Sequence, residues 1–350
     1  MNRPIRCAVI GNGVIAPAHI ESYQLVPEVQ VQWACDLIRE KAEQTAARYG
    51  IPRIATDYHE VLADPAVDAL SICTDHASHA QIAVDAFAAG KHVLCEKALA
   101  ATTAGLDRMM SAHAARPDLV FAAVFQNRFT PVYGRLRQLI DEGALGTILT
   151  IHLQVYCLRT REYYKSDLWR GTWAEEGGSL MINQAIHFVD LLQWVGGGVT
   201  QVAANFANLT HGDAIETEDT VAALTFRNGA LGTISATTSS RHLQWEPTLS
   251  ITGTEGTVDI RDGTVLRMAF ADEATAQRVR SFLEAPVESG PDVAGKAYYG
   301  PGHAGIVADF VAAIREGRAP FIRGEDARKA VDIVLGIYQS HREGRRVAMP

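Results

Sequence analysis

Residues 5–16 read IRCAVIGNGVIA, and this stretch decides the fold. Ile5–Ile10 is a short run of mostly apolar, β-branched residues, the pattern of a strand covered on both faces. It runs directly into Gly11-Asn12-Gly13-Val14-Ile15-Ala16, a GxGxxA turn. Gly11 permits the sharp bend, Gly13 lets the backbone approach a pyrophosphate, and Ala16 lets the following helix pack close to the strand with its N-terminus toward the anion. A second strand, Val29–Cys35, ends at Asp36, 20 residues beyond Ala16. A carboxylate at that distance meets the hydroxyls of an adenosine ribose. Gly11, Asn12, Gly13, Val14, Ile15 and Asp36 are therefore the expected dinucleotide contacts. Asp36 repels a 2′-phosphate, so NAD is expected over NADP, although Arg39 nearby pulls the other way.

The same rhythm continues to residue 125. Further strands are expected at Ala69–Thr74, His92–Glu96 and Leu119–Phe125, with helices at Ile38–Tyr49 and Ala77–Ala89 and glycine caps at Gly50 and Gly90. Short buried strands alternating with helices give parallel β-α-β units. After residue 126 the pattern changes. A helix at Pro131–Glu142 leads into strand candidates at Thr147–Cys157, Thr200–Leu209, Thr217–Phe226, Ala230–Ser240, Leu249–Thr252 and Thr257–Ile260. Asn228-Gly229 marks a hairpin. Helices are expected at Ser179–Val195, Ile306–Arg315 and Asp326–Arg342, and Ala271–Tyr299 is the least readable stretch. The expectation is an α/β chain: an N-terminal Rossmann domain, residues 1–125, and an α+β domain, residues 126–350, with a large, open, mostly antiparallel sheet.

The 350 residues carry 32 Lys and Arg against 40 Asp and Glu, a net charge of −8, so no basic surplus exists to hold a nucleic acid. A hydrophobic share of 47% with 21% charged residues excludes a disordered chain. No apolar run reaches the roughly 18–20 residues that span a bilayer, so no membrane role is expected. The five cysteines, Cys7, Cys35, Cys73, Cys95 and Cys157, lie mostly in apolar runs and form no CxxC pair. They read as reduced core thiols of a cytoplasmic protein, with no structural zinc.

Three stretches carry chemistry. Residues 73–79, CTDHASH, follow the third strand, where open α/β sheets hold ligands; Thr74, His76 and His79 are expected near the nucleotide. Two histidines three apart, without a carboxylate at fitting spacing, do not make a metal site, and no metal is expected. The fourth strand ends in Cys95-Glu96-Lys97-Ala98. Lys97 at a strand tip can stabilise an alkoxide and Glu96 can hold that lysine or a ribose; a surface ion pair is the plainer reading. Residues 169–192 hold Trp169, Arg170, Trp173, the Gly177-Gly178 pair, Asn183, His187 and Asp190. Asn183 and His187 share a helix face, and Asp190 falls near His187. They form either a satisfied core pair or an acid/base pair that takes an alcohol proton. Arg128, Arg159, Arg161 and Arg170 are numerous enough to suit an acidic substrate, or are simply solvated.

The order and spacing of these stretches resemble the Gfo/Idh/MocA family, named for glucose–fructose oxidoreductase and inositol dehydrogenase. The resemblance covers essentially the whole chain: GNGVIA at 11–16, Asp36, CTDHASH, AGKHVLCEKAL at 89–99, FQNRFTP at 125–131, EGGSLMINQAIHFVDLLQW at 176–194 and GEDARKAVDIV at 324–334. It implies NAD(P)-dependent oxidation of a hydroxyl carbon on a sugar or cyclitol, and a homodimer or homotetramer built on the open sheet. By position, Lys97 is similar to the family lysine that contacts the reacting oxygen, and His187 to its general base. Gln126, Asn127, Trp169 and Arg170 are similar to residues lining the nicotinamide or the sugar. Ala98 replaces the usual proline, so the backbone there is expected to be held differently. Asn183 replaces the aspartate of many members, which makes His187 less basic. With Trp169 to Trp173 ahead of it, this pattern is similar to the branch acting on glycosides or nucleotide-linked sugars, often at C3.

The expected reaction is hydride transfer from a ring CH–OH to NAD, with Lys97 on the oxygen, His187 taking the proton and Asn183 orienting the hydroxyl. Tyr163, Tyr164 and Trp173 are candidates for a sugar-binding wall or for ordinary packing, and Arg128 and His303 are further candidate substrate contacts. The alternatives are a myo- or scyllo-inositol dehydrogenase, an enzyme that recycles a tightly held cofactor between two sugars, and a sugar sensor that binds NAD without turnover.

Overall fold

The computed structural model describes residues 3–212, 216, 219–241, 245–286 and 302–350. In chain order the first elements are β1 (Ile5–Ile10), α1 (Ala16–Gln24), β2 (Val29–Cys35), α2 (Arg39–Tyr49), β3 (Arg53–Ala55), α3 (Tyr58–Ala63), β4 (Ala69–Ile72), α4 (His76–Ala88), β5 (His92–Cys95), α5 (Thr103–Ala114) and β6 (Phe121–Ala123). Next come α6 (Pro131–Asp141), β7 (Ile148–Cys157), α7 (Arg161–Lys165), α8 (Ile186–Gly196), β8 (Val199–Ala207), β9 (Asp219–Phe226), β10 (Leu231–Thr237), β11 (Trp245–Gly253), β12 (Gly256–Arg261), β13 (Thr264–Phe270) and α9 (Glu273–Leu283). The chain closes with α10 (Gly302–Glu316), α11 (Gly324–Glu343) and β14 (Val347–Ala348).

The chain forms two units: Met1–Gln126 with Ser289–Arg328, and Asn127–Glu288 with Lys329–Pro350. The expected single boundary at 125/126 is thereby corrected, because a late segment returns to the first unit. There α10 packs on α1, Arg323 bridges to Ala122 of β6, and Gly324 lies so close to Phe121 that a Cβ would collide with its ring. Amphipathic helices such as α10 carry no sign in their own sequence of which sheet they will cover.

The first unit has a six-stranded parallel sheet in the order β3-β2-β1-β4-β5-β6. This is doubly wound, and its switch point falls between β1 and β4, directly above the Gly11 turn. Strands β1 and β2 match the expected bounds; β1 is buried along nearly its whole length, β2 only at Ala34 and Cys35. Strand β3 has three residues, too few to show a pattern.

The second unit has eight strands in the order β13-β12-β11-β7-β10-β9-β8-β14, with β7–β10 the one parallel pair. Strand β7 alternates, with Ile151, Leu153, Val155 and Cys157 buried and His152 and Gln154 exposed. Helix α8 covers the buried face. Phe226 fills the space over Gly196 and Gly232, where a Cβ would strike its ring. Asn228-Gly229 turns β9 into β10 as expected, with Gly229 at φ +87°. The expected strand start at Thr217 and residues 287–299 of the least readable stretch lie outside the described residues, while α9 emerges at Glu273–Leu283. The expected helix Ser179–Val195 is instead a π-helical stretch, Leu180–Ala185, followed by α8.

All five cysteines are buried and free. Burial pushes the Cys35 thiol up to about 12 and the Cys157 thiol up to about 11. No helix among the described residues is long and apolar enough to cross a membrane.

Phe226 is 1% exposed and bridges α8 and the sheet. Phe226→Ala is expected to lower unfolding free energy by about 3–5 kcal/mol, read as a lower urea midpoint at unchanged slope; an unchanged midpoint contradicts this packing.

Candidate functional site

In the first unit, Gly11 adopts φ +89°, and a Cβ there would sit 2.6 Å from the Cys73 carbonyl carbon. Only glycine satisfies both constraints. Gly13 has nothing within 4 Å of a Cβ position, so its face is open to a ligand. The backbone N–H of Asn12 donates to Asp36 Oδ2 at 2.7 Å, and Ile38 N–H donates to Oδ1 at 2.9 Å. The turn and the end of β2 are thus locked together. Asn12 is buried, its Nδ2 donates to the Cys35 carbonyl at 3.0 Å, and its Oδ1 has no hydrogen-bond partner. Val14 is exposed, and Ile15 caps α1 without a side-chain hydrogen bond, so the helix N-terminus stays open to an anion. Arg39 pairs with Glu43 rather than with Asp36. An open glycine face, an uncapped helix start and a fixed carboxylate fit a dinucleotide.

Lys97 follows β5 and is half-buried. Its backbone N–H donates to Glu96 Oε2 at 3.1 Å. Glu96 is buried; its Oε1 lies 3.0 Å from His19 Nε2 and 3.6 Å from His303 Nε2. The other nitrogen of His19 meets Ser71 Oγ at 3.0 Å, which Tyr23 also contacts. Burial alone raises the Glu96 carboxyl, but His19 and His303 outweigh it and hold the group well below the usual carboxylate range. Burial pushes His19 below 6.5, so a neutral imidazole donates to a carboxylate. The candidate substrate contact His303 is therefore buried against Glu96. His79 and His76 are also buried. His79 places Nδ1 2.7 Å from the Ala98 carbonyl and Nε2 3.1 Å from the Thr74 carbonyl, and when neutral it donates its single N–H to one of them. It ties the Thr74 turn to the Lys97 segment instead of reaching outward as a nucleotide contact. The Lys97–Ala98 peptide is cis. Gln126 is buried with its Oε1 unpartnered, beside Gly302.

In the second unit, every residue from Leu180 to Asp190 is buried except His187, which is half-buried. The π-helical stretch carries Asn183, whose Nδ2 donates to Glu176 Oε1; Glu176 Oε2 accepts from the Gly171 N–H. Glu176 was not among the expected site residues. Its place one residue before the glycine pair was the available signal. Asp190 does not turn to His187. It is 0% exposed and takes a two-pronged pair from Arg128, itself 3% exposed, at 2.6 and 2.7 Å. Arg128 is therefore a structural cation, not a substrate contact. Asn127 is half-buried at the start of this unit.

Tyr163 OH accepts from Arg170 and from Gln184, each at 2.9 Å. Arg170 also pairs with Asp167 and stacks over Trp169 at 4.6 Å. Tyr164 is core: its ring meets Tyr163 and His211 edge-on, and its hydroxyl accepts from Ser179. Trp173 packs against Tyr338 and Phe206 beneath Arg342. These two aromatic candidates for the sugar wall are thus held in packing, which leaves Tyr163.

Residues 5–124 match the oxidoreductase family with an NAD-binding Rossmann fold, and residues 133–259 match the GFO/IDH/MocA C-terminal domain. The chain is 23% identical to myo-inositol 2-dehydrogenase of Thermotoga maritima, over 99% of this chain and 98% of that protein. It is 26% identical to levoglucosan dehydrogenase of Pseudarthrobacter phenanthrenivorans, over 99% and 94%. Among solved structures it is similar to the WlbA dehydrogenase of Bordetella pertussis in complex with NADH and UDP-GlcNAcA, with a TM-score of 0.90, 29% identity, and 100% and 99% of the two chains covered.

Removing Arg128 leaves Asp190 charged and buried. Arg128→Ala is expected to cost about 3–5 kcal/mol of stability, measured by chemical unfolding, and a stable variant with only a raised KM contradicts this placement. Acid should weaken the first unit. His19 and His79 are pushed below 6.5 by burial, so below that pH the unfolded chain binds protons first and stability falls as pH falls. Urea midpoints should drop from about pH 7.5 to about pH 5, and His79→Gln should remove part of the slope; an unaltered slope counts against it.

Proposed function

The chain belongs to the Gfo/Idh/MocA oxidoreductase family, and from that premise we propose that it oxidises a secondary ring hydroxyl of a sugar, glycoside or nucleotide-linked sugar to a ketone, with C3 the favoured position. NAD bound at the Gly11–Gly13 turn supplies the hydride acceptor. The ammonium of Lys97 donates a hydrogen bond to the reacting oxygen and stabilises negative charge there as the C–H bond breaks. The imidazole of His187 accepts the hydroxyl proton, so the substrate loses one hydride and one proton in all. Glu176 fixes which way the Asn183 amide faces, and Asn183 orients the hydroxyl. Glu96 and His79 hold the backbone on either side of Lys97.

The observation that carries this reading is the burial contrast along one helix. His187 is the single half-buried residue in an otherwise closed stretch, on a π-helical entry of the kind found at functional sites. A cyclitol substrate is the second reading, favoured by the Thermotoga relative. A homodimer or homotetramer is proposed to form through the open sheet face, which exposes Val221 and Leu231 among small hydroxyl residues.

A panel of inositols, free aldoses, glycosides and UDP-sugars, assayed for NADH formation with the product position fixed by NMR, tests the reaction class. On an active substrate, Lys97→Ala and His187→Ala should each lower kcat by about 10²–10⁴-fold, with NAD affinity within about threefold of wild type. A near-normal kcat in either variant removes that residue from the mechanism.

A further inference from the structure

The four arginines of the second unit's site region have separate fates. Arg128 is neutralised by Asp190, and Arg170 by Asp167. Arg161 is exposed and donates to the His211 carbonyl. Arg159 is half-buried and makes no ion pair among the described residues. Its guanidinium lies over the ring of Tyr163 at 5.1 Å and over that of Trp245 at 5.5 Å. One prong, Nη1, donates to the neighbouring Leu158 carbonyl at 2.9 Å. The opposite edge is different: Nε is buried and has no hydrogen-bond partner.

Two more buried polar atoms without hydrogen-bond partners belong to residues bonded to the Arg159 backbone or to Tyr163. One is Oγ1 of Thr238, whose own carbonyl accepts the Arg159 backbone N–H at 2.8 Å. The other is Oε1 of Gln184, a residue 5% exposed whose Nε2 donates to the same Tyr163. Buried donors and acceptors are normally matched, so an unpartnered guanidinium Nε, with unpartnered oxygens on two residues bonded to the same segment and the same tyrosine, marks a place where polar ligand groups complete the set. Among the described residues, the acids of this neighbourhood are engaged elsewhere. Asp219 accepts from Thr237 at 2.5 Å, and Glu176 is taken by Asn183 and Gly171.

The place is next to the proposed chemistry. Gln184 adjoins Asn183, and Trp245 packs on Phe188, the neighbour of His187. A permanently charged, planar donor edge, held by aromatic rings, matches the two oxygens of a carboxylate or phosphate. We propose that Arg159 reads an anionic group on the substrate, a ring carboxylate or the phosphate of a nucleotide-linked sugar, through its Nε–Nη2 edge. The inference rests on the dehydrogenase reading for its location beside the reacting carbon.

Calorimetry in the presence of NADH separates the cases, with methyl glucoside, methyl glucuronide, UDP-glucose and UDP-glucuronate as probes. Wild type should bind an anionic probe about tenfold or more tighter than its neutral counterpart. Arg159→Gln should bring that ratio to within about threefold of unity, while Arg159→Lys, which keeps charge without the fork, retains an intermediate preference. Arg280→Gln, at an exposed arginine paired with Glu284, should leave the ratio unchanged. Loss of the preference for methyl glucuronide over methyl glucoside, or for UDP-glucuronate over UDP-glucose, identifies the carboxylate as the group read; loss only of the preference for UDP-glucose over methyl glucoside identifies the phosphate. Equal wild-type affinity for all four probes, or a preference that survives Arg159→Gln, overturns the proposal. If none of the four yields NADH but the Arg159-dependent preference in binding remains, the dehydrogenase reading is what fails and the anion site stands.

Discussion

The carboxylate of Glu96 is the constraint on which the first unit depends. It is buried at the end of β5, and one oxygen holds the backbone N–H of Lys97 while the other faces two imidazoles. Those imidazoles come from α1 and from α10, so the end of one strand fixes both the helix after the glycine turn and a helix that returns from late in the chain. A buried charge is costly unless hydrogen-bonded, and here the partners are strong enough to keep it ionised. The result is a rigid platform. Gly11 touches the Cys73 backbone, His79 clamps Thr74 to Ala98, and the dinucleotide turn and the Lys97 segment are built from neighbouring strand ends.

The second unit uses the same device with different residues. Asp190 and Arg128 neutralise each other in the core of α8, and Glu176 ties the Gly171 turn to Asn183. Along Leu180–Asp190, His187 is the half-buried residue. Each unit thus buries carboxylates that hydrogen bonds and ion pairs hold in place. Preorganisation of that kind keeps the groups from reorganising when charge develops.

Much of the fold was legible in the sequence because its signals are local. Strands β1 and β2 lie where their apolar runs place them, and the Gly11 turn needs a backbone angle that glycine alone adopts freely. The pairing of side chains was not legible. Arg128 and Asp190 are 62 residues apart, and nothing in either neighbourhood reveals that they meet. The same is true of His303 against Glu96. A single sequence also gives no sign that Ser179–Val195 begins as a π-helix, since the apolar spacing suits either winding. Lys97 and His187 stand out through family resemblance more than through physics, whereas the partners of Glu176, Gly171 and Asn183, are fixed only by the folded turn.

The central claim is that a hydride leaves a ring carbon of a sugar or cyclitol and arrives at the nicotinamide without exchanging with water. Ring-deuterated substrates, turned over with NAD and followed by NMR at nicotinamide C4, test it most directly. The account predicts one deuterium at C4 for each ketone formed. Ketone formed with unlabelled NADH, or label released to solvent, would contradict it.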